Sequence, residues 1–263
     1  MLSRIKHYWS KLLVSKLSWD QSFLFLIFTF STATLVFLYL PLPYTLTPVA
    51  SEVYDCNRNI AATFYLQNRL PISLTETPLF LRQAFLAVED HRFYEHRGIN
   101  LGRIGKALTN NIIRQRLEQG ASTITQQLVK NAYLDHKRTI IRKLKELFYT
   151  VKVELHLSKD QILENYLNQI YFGHGAYGIK VAAQTYFGKN LEQLNQAEMA
   201  LLAGLPKGPA YYSPYRHPEA AQKRIRQVLR RMADCGYLTE SELDQYSKKT
   251  LHLPGLQRKT HPA

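Results

Sequence analysis

Acidic residues are scarce in this 263-residue chain: 20 Asp and Glu stand against 34 Lys and Arg, for a formal net charge of +14. Such a surplus calls for an anionic partner, whether nucleic acid, an anionic membrane surface or a phosphate-bearing substrate. Cysteine is nearly absent. Cys56 and Cys235 are too few for a disulfide framework, and no Cys/His run has metal-ligand spacing. Alternating strand patterns are few and internal repeats are missing, so a predominantly α domain is expected. Hydrophobic residues make up 46% and charged residues 21%, a globular composition that suits one sizeable domain with a short appendage.

The longest stretch without any charge identifies the appendage. From Gln21 to Ser51 there is no Asp, Glu, Lys, Arg or His. Its densest part, Phe23 to Leu40, would form a helix roughly 27 Å long, close to the hydrocarbon thickness of a bilayer. Ser31 and the threonines weaken the signal, and Pro41 and Pro43 end it. Arg4, Lys6, Lys11 and Lys16 precede it against Asp20 alone, so the positive-inside bias puts the N-terminus in the cytoplasm. A cleaved signal peptide is the main rival, but the apolar run is long for one and Pro48-Val49-Ala50 is a poor cleavage site. A buried core helix would show amphipathic periodicity, which is lacking here. The expected organisation is a cytoplasmic tail over 1–21, a transmembrane anchor over 22–41, a juxtamembrane segment over 42–74, the main domain over 75–246 and a C-terminal tail over 247–263. Most of the positive charge then lies outside the membrane, away from nucleic acid, with lipid pyrophosphate and anionic head groups as its natural partners.

Local signals outline the helices. Thr77 and Pro78 read as an N-cap and first helical position, ahead of Leu81, Phe85 and Val88. Ile140, Leu144, Leu147, Val151 and Leu155 mark a second helix. Ser158 with Gln161 caps a third, ending near Asn168. The glycine-rich run from Gly173 to Gly178 reads as a loop. Asn195 with Glu198, Pro218, and Thr239 with Glu242 open three more helices.

Three segments could carry chemistry. Glu89-Asp90-His91-Arg92-Phe93-Tyr94-Glu95-His96-Arg97-Gly98 packs seven acidic, basic or imidazole side chains into ten residues at the end of an apolar helix. A carboxylate there is half sheltered, which suits general-base work, although a solvated helix terminus has the same composition. His91 and His96 do not have the spacing of an inverted zincin. Next, Gly120 to Asn131 offers small residues, then hydroxyls and amides that can hydrogen-bond a sugar or phosphate, with Lys130 as a point charge. A polar loop leading into a helix reads the same way. In the third, Arg142-Lys143-Leu144-Lys145-Glu146, Arg142 and Glu146 stand one helical turn apart and could simply pair.

Taken in order, these segments resemble the motifs of the peptidoglycan glycosyltransferase family (glycosyltransferase family 51). That domain occurs in bifunctional penicillin-binding proteins and in monofunctional transglycosylases. The matching stretches are EDHRFYEHRG, GASTITQQLVKN, RKLKE, then Ile162 to Lys189 and Ala197 to Pro209. They cover most of the chain from about residue 75 to 232. Any one is a moderate signal, whereas five in order are specific.

The resemblance implies a mainly α, lysozyme-like fold with two lobes, the smaller one beside the membrane, and a cleft between. It implies Glu89 as the base that deprotonates the 4-hydroxyl of the acceptor's N-acetylglucosamine, and Glu146 as a second essential carboxylate on the donor side. Lys130 and Arg138 match residues that neutralise the donor pyrophosphate. Ser122, Gln126 and Gln127 match the polar wall of the cleft, and Arg142 and Lys143 the third motif's cations. Glu164, Asn168, Gly173 and Gly178 match a motif whose role is more structural. The implied substrates are lipid II and a lipid-linked glycan chain at the outer face of a bacterial cytoplasmic membrane, with other cell-wall synthesis proteins as further candidate partners. No cofactor is required; magnesium or manganese could assist at the pyrophosphate, and no metal-binding protein site is expected.

Two rivals remain. A glycan-cleaving glycosidase or lytic transglycosylase would share the carboxylates, but it has no pyrophosphate to neutralise and no use for the cationic motifs. A catalytically idle cell-wall scaffold would not need Glu89 and Glu146. The Ser-x-x-Lys, Ser-x-Asn and Lys-Thr-Gly set of a transpeptidase is not expected: Ser3 to Lys6 fits the first pattern only by chance.

The anchor is expected to hold the protein in the membrane fraction through a carbonate wash. A soluble mature form beginning near Ser51 would instead identify a cleaved signal.

Overall fold

In a computed structural model of the chain, the described residues are 19–42, 51–56, 60–64, 69–100, 102, 122–134 and 139–256. The four N-terminal cations and Arg138 lie outside them. The chain divides into two compact units, Met1–Leu42 and Pro43–Ala263.

The first unit holds helix α1, Trp19–Tyr39. It starts and stops a little earlier than the 22–41 span expected, since Pro41 already disfavours the helical conformation in the residue before it. Its 21 residues rise about 31 Å, and the stretch Gln21–Tyr39 is long and apolar enough to cross a membrane. Phe23, Leu24, Phe25 and Phe28 are all exposed. The hydroxyls that weakened the sequence signal are satisfied inside the helix: Thr29 Oγ1 donates to the carbonyls of Phe25 and Leu26, and Thr32 Oγ1 to that of Phe28. An apolar solvent therefore meets no bare O–H at either threonine.

The second unit opens with an antiparallel hairpin, β1 (Ser51–Tyr54) and β2 (Ile60–Phe64), inside the segment read as juxtamembrane. Helix α2 spans Leu79–Glu89. It begins one residue later than expected, because Pro78 has ψ 138° and serves as the cap, while the Thr77 hydroxyl turns back to the Ser73 carbonyl. Helix α3 is Ile124–Tyr133, α4 is Ile140–His156 and α5 is Lys159–Gln169. A capping box opens α3 (Thr123 with Gln126) and α5 (Ser158 with Gln161).

The glycine run forms a tight hairpin rather than a loop. Strands β3 (Tyr171–Gly173) and β4 (Ala176–Tyr177) pair across His174 and Gly175. Helices α6 (Ile179–Phe187), α7 (Gln196–Gly204), α8 (Pro218–Asp234) and α9 (Glu240–Ser247) follow, with short 3₁₀ turns at Leu191–Gln193 and Leu205–Lys207.

Burial explains the packing order. Every residue of α7 from Ala197 to Gly204 is buried, as a mostly apolar helix must be, with Glu198 neutralised there by Lys189 at 2.7 Å. Helices α2 and α8 pack on it, α8 through Ala221, Ile225, Val228, Leu229 and Met232. Helix α3 packs on α4 and α5. Phe85 of α2 meets Tyr166 of α5 and Phe172 of β3 edge-on, with ring centroids 6.2 and 6.1 Å apart, so the two helix groups share one aromatic core. A polar knot adds to it. Glu154 of α4 accepts from Thr125 of α3 at 2.5 Å and from Lys159 of α5 at 2.8 Å.

The fourth motif acts on this scaffold. Glu164 accepts from the Leu74 amide at 2.7 Å, and Asn168 forms a two-way bond with the Ile72 backbone at 3.0 and 2.8 Å. Together they fasten the segment that leads into α2. Gly178 has φ +84°, and a Cβ there would stand 2.8 Å from the Asn168 carbonyl oxygen.

Gly178→Ala is therefore expected to lower stability by about 2 kcal/mol or more, through backbone strain and that clash. Gln126→Ala, which opens the α3 capping box, should cost roughly 1 kcal/mol. Thermal unfolding checks both; unchanged melting would show that neither position constrains the fold.

Candidate active site

The site begins with a buried charge. Asp90 is 1% exposed at the C-terminal end of α2. One of its oxygens, Oδ2, lies 2.9 Å from His96 Nε2 and accepts from the Ile124 amide at 3.3 Å. Ile124 is the first residue of α3, so the carboxylate meets one of the N–H groups that the helix cannot satisfy itself, at the positive end of its dipole. Thr123, the cap of α3, donates to the Gly98 carbonyl at 2.6 Å. The first and second motifs are thereby joined: the turn after α2 and the start of α3 become one unit.

That joint brings Gln127 to Glu89. Gln127 Nε2 donates to Glu89 Oε2 at 2.6 Å, and Tyr166 donates its hydroxyl to Gln127 Oε1 at 3.4 Å. The chain of donors fixes which way the amide faces. Tyr166 is wholly buried, and burial, followed by the negative charges of Glu89 and Asp90, pushes its phenol well above the usual range. It therefore stays an O–H donor, with its ring in the core and its tip in the site.

Arg224 approaches from α8. Its Nε donates to the Gly204 carbonyl at 3.0 Å, and its guanidinium stands 5.4 Å from the centre of the Tyr212 ring. Burial lowers its pKa, while the nearby Glu89 carboxylate and Tyr212 oppose that shift. The guanidinium remains charged over the whole working range. Glu89 thus sits among a tyrosine-backed amide, a buried arginine and an apolar helix end.

A second carboxylate lies on α4. Glu146 is 3% exposed; Arg142 Nη1 is 3.5 Å from its Oε2, and Lys143 Nζ bonds its Oε1. Both cations stand one turn before it on the same helix, so this trio is set by helical spacing alone. Arg142 keeps a spare donor, since its buried Nε has no partner among the described residues.

The remaining residues singled out in the sequence are spread more widely. Ser122 is half-buried just ahead of the α3 cap. Gln126 is 4% exposed, and its oxygen is committed to the Thr123 amide, which makes it part of the helix cap and distinguishes it from Gln127 one residue on. Lys130 is exposed in the last turn of α3, without an ion pair among the described residues. Among the described residues, no group of three His, Cys, Asp or Glu side chains could hold a metal ion.

Tyr166 and Arg224 were not legible beforehand. Tyr166 sits on the buried face of α5 as an ordinary core residue would, and Arg224 is one cation among several on an amphipathic helix. Only long-range packing brings both into the neighbourhood of Glu89.

Residues 57–233 match the family model described as transglycosylase. Penicillin-binding protein 1F of Bacillus subtilis is 44% identical over 204 residues, which span 78% of this chain and 29% of that protein. Penicillin-binding protein 1A of Aquifex aeolicus is 46% identical over 204 residues, 78% of this chain and 28% of that one. The crystal structure of penicillin-binding protein 1A from Haemophilus influenzae aligns with a TM-score of 0.44 at 24% identity, over 80% of this chain and 22% of that one. The chain thus spans less than a third of the length of these relatives. With two thirds of its residues inside the family match, and with the mainly helical fold that the motifs imply, the chain belongs to the transglycosylase family.

Proposed function

We propose that this chain is a peptidoglycan glycosyltransferase, which polymerises lipid II into β-1,4-linked glycan with release of polyprenyl pyrophosphate. The observation that carries the reading is the hydrogen-bonded setting of Glu89, oriented by Gln127 and Tyr166, in a chain of the transglycosylase family. In this reading the Glu89 carboxylate takes the proton from the acceptor's 4-hydroxyl. The oxygen attacks C1 of the donor sugar in line, the C1–O bond to pyrophosphate breaks, and an α-linked donor gives a β product. A positioned base of this kind is worth about 10²–10⁴-fold in rate.

Charge develops on the leaving pyrophosphate, and fixed cations there stabilise the transition state more than the ground state. Lys130, Arg138, Arg142 and Lys143 take that role. The spare Nε–H of Arg142 and the absence of an ion pair at Lys130 among the described residues support it. Glu146 holds Arg142 and Lys143 on one side of their helix, and in this reading that side is turned toward the leaving group. A magnesium or manganese ion could assist at the pyrophosphate by neutralising its charge; among the described residues no group of three His, Cys, Asp or Glu side chains could hold one. Helix α1 would anchor the protein in the cytoplasmic membrane with the catalytic domain on the outer face, where lipid II is displayed.

Polymer formation from purified lipid-linked disaccharide tests the reading. Glu89→Gln should abolish it while leaving the melting temperature near that of the parent; normal turnover in this variant would remove Glu89 from the mechanism. Glycan cleavage without polymerisation would point to a glycosidase, and neither activity to a scaffold. Lys130→Ala and Arg138→Ala should lower kcat while shifting stability by less than about 0.5 kcal/mol, with Arg138→Lys milder than Arg138→Ala. A lowered melting temperature with unchanged kcat would make both cations structural.

A further inference from the structure

Helix α8 carries five cations, and only one of them is turned inward. Lys223, Arg226, Arg230 and Arg231 are exposed, whereas Arg224 is 6% exposed and is the one charged residue on the buried face of the helix. Arg230 and Arg231 pair with Glu240 and Asp234. Arg224 has no ion pair among the described residues. Its Nε donates to the Gly204 carbonyl at 3.0 Å, and its Nη1 lies 3.4 Å from Gln227 Oε1. The face of the Tyr212 ring completes its surroundings. A guanidinium buried among neutral partners is unfavourable for folding, so packing alone does not explain it.

The backbone nonetheless makes room for this side chain. Gly204 closes α7, and a Cβ there would stand 2.7 Å from Arg224 Cγ and 3.3 Å from Val228 Cγ2. The arginine stem therefore passes through a notch that only a glycine leaves open, and the carbonyl of that glycine fixes its Nε.

The notch leads to the end of α2. Helix α8 packs on α2, Val88 and Arg224 line the same groove, and Glu89 is the carboxylate whose charge acts on Arg224. Tyr166, arriving from α5, feels the charges of both Glu89 and Asp90. Asp90 is met by His96 and the Ile124 amide, while Glu89 receives the neutral amide of Gln127. Two adjacent acids thus end α2, and a full positive charge approaches them from α8. In a sheltered place such a charge acts without a direct bond.

We propose that Arg224 is a positioning residue for the Glu89 base: threaded through the Gly204 notch, it offsets the paired negative charge of Glu89 and Asp90 and steadies the Glu89 carboxylate for proton transfer. The inference rests on the glycosyltransferase reading for what Glu89 does. Arg224 acts through charge and does not touch the substrate, so its loss falls on kcat rather than on KM.

Polymerisation of lipid-linked disaccharide by the full-length protein tests this, with thermal unfolding measured alongside. R224A should lower kcat about tenfold, short of the roughly 10²–10³-fold typical of a donor that touches the reacting atoms, with KM within about twofold of the parent. Free guanidinium at low millimolar concentration should restore part of that turnover, whereas urea, planar but neutral, should not. R224K should lie between R224A and the parent, since it keeps the charge without the fork. G204A should also lower kcat, although its arginine is intact, because the added methyl displaces the arginine stem. If R224A does not fold, R224M keeps the bulk without the charge and should show the same fall in kcat, with R224K above it.

Parent-like kcat in R224A or R224M would overturn the proposal. A raised KM at unchanged kcat would also overturn it, making Arg224 a substrate ligand. A loss that neither guanidinium nor the lysine variant restores, or that urea restores equally, would reduce Arg224 to a packing residue. A parent protein that makes no polymer sinks the glycosyltransferase reading and this proposal with it; a parent that polymerises beside an unimpaired arginine variant sinks this proposal alone.

Discussion

A carboxylate taken out of water must be met by donors, and at Asp90 those donors come from two different parts of the chain. His96 approaches within its own turn, and the Ile124 amide comes from the start of α3. Leaving either donor without the acid, or the acid without its donors, would strand a buried polar group at a cost of about 1–3 kcal/mol or more. The joint therefore sets where α3 starts relative to the end of α2. Gln127, three residues into α3, is carried to Glu89 by that setting, and Tyr166 then closes the line from the core side. The candidate base owes its surroundings to its neighbour in sequence.

The cations fall into two populations that a net charge of +14 conceals. Some are consumed by sheltered acids: Lys189 with Glu198 and Lys159 with Glu154. These pairs tie secondary structure together, and truncating the acid would leave positive charge unsatisfied at a half-sheltered place. Others, Lys130, Lys207, Lys223 and Arg226, are exposed without an ion pair among the described residues. A monomer gains no stability from holding such charges close together; their mutual repulsion is relieved only by an anion. Exposed cations of this kind remain available to an anionic ligand.

Local chemistry explains why so much of the secondary structure was readable. Capping boxes at Ser158, Asn195 and Thr239 involve residues three apart, and the structure has all of them. The Arg142–Lys143–Glu146 trio is likewise a matter of helical spacing. The misses are also local. Thr77 was read as the cap of α2, but its hydroxyl had a better acceptor in the Ser73 carbonyl and the role passed to Pro78. The run from Gly173 to Gly178 reads as a loop, whereas positive φ at Gly173 and Gly178 builds a tight hairpin against Tyr186 and Asn168.

By itself the sequence determined the apolar helix, the predominance of α structure and the order of the motifs, whose family resemblance is what points to Glu89. Each depends on composition or on residues within a turn or two of one another. Tertiary structure alone decided which of two adjacent amides faces Glu89. Gln126 and Gln127 are chemically identical, but they lie about 100° apart around α3, so one turns back to cap the helix and the other reaches across to α2. It alone also selected Tyr166 and Arg224, whose distance from Glu89 along the chain is closed by the packing of α5 and α8. Their significance arises from buried contacts between distant segments, which periodicity and spacing do not encode.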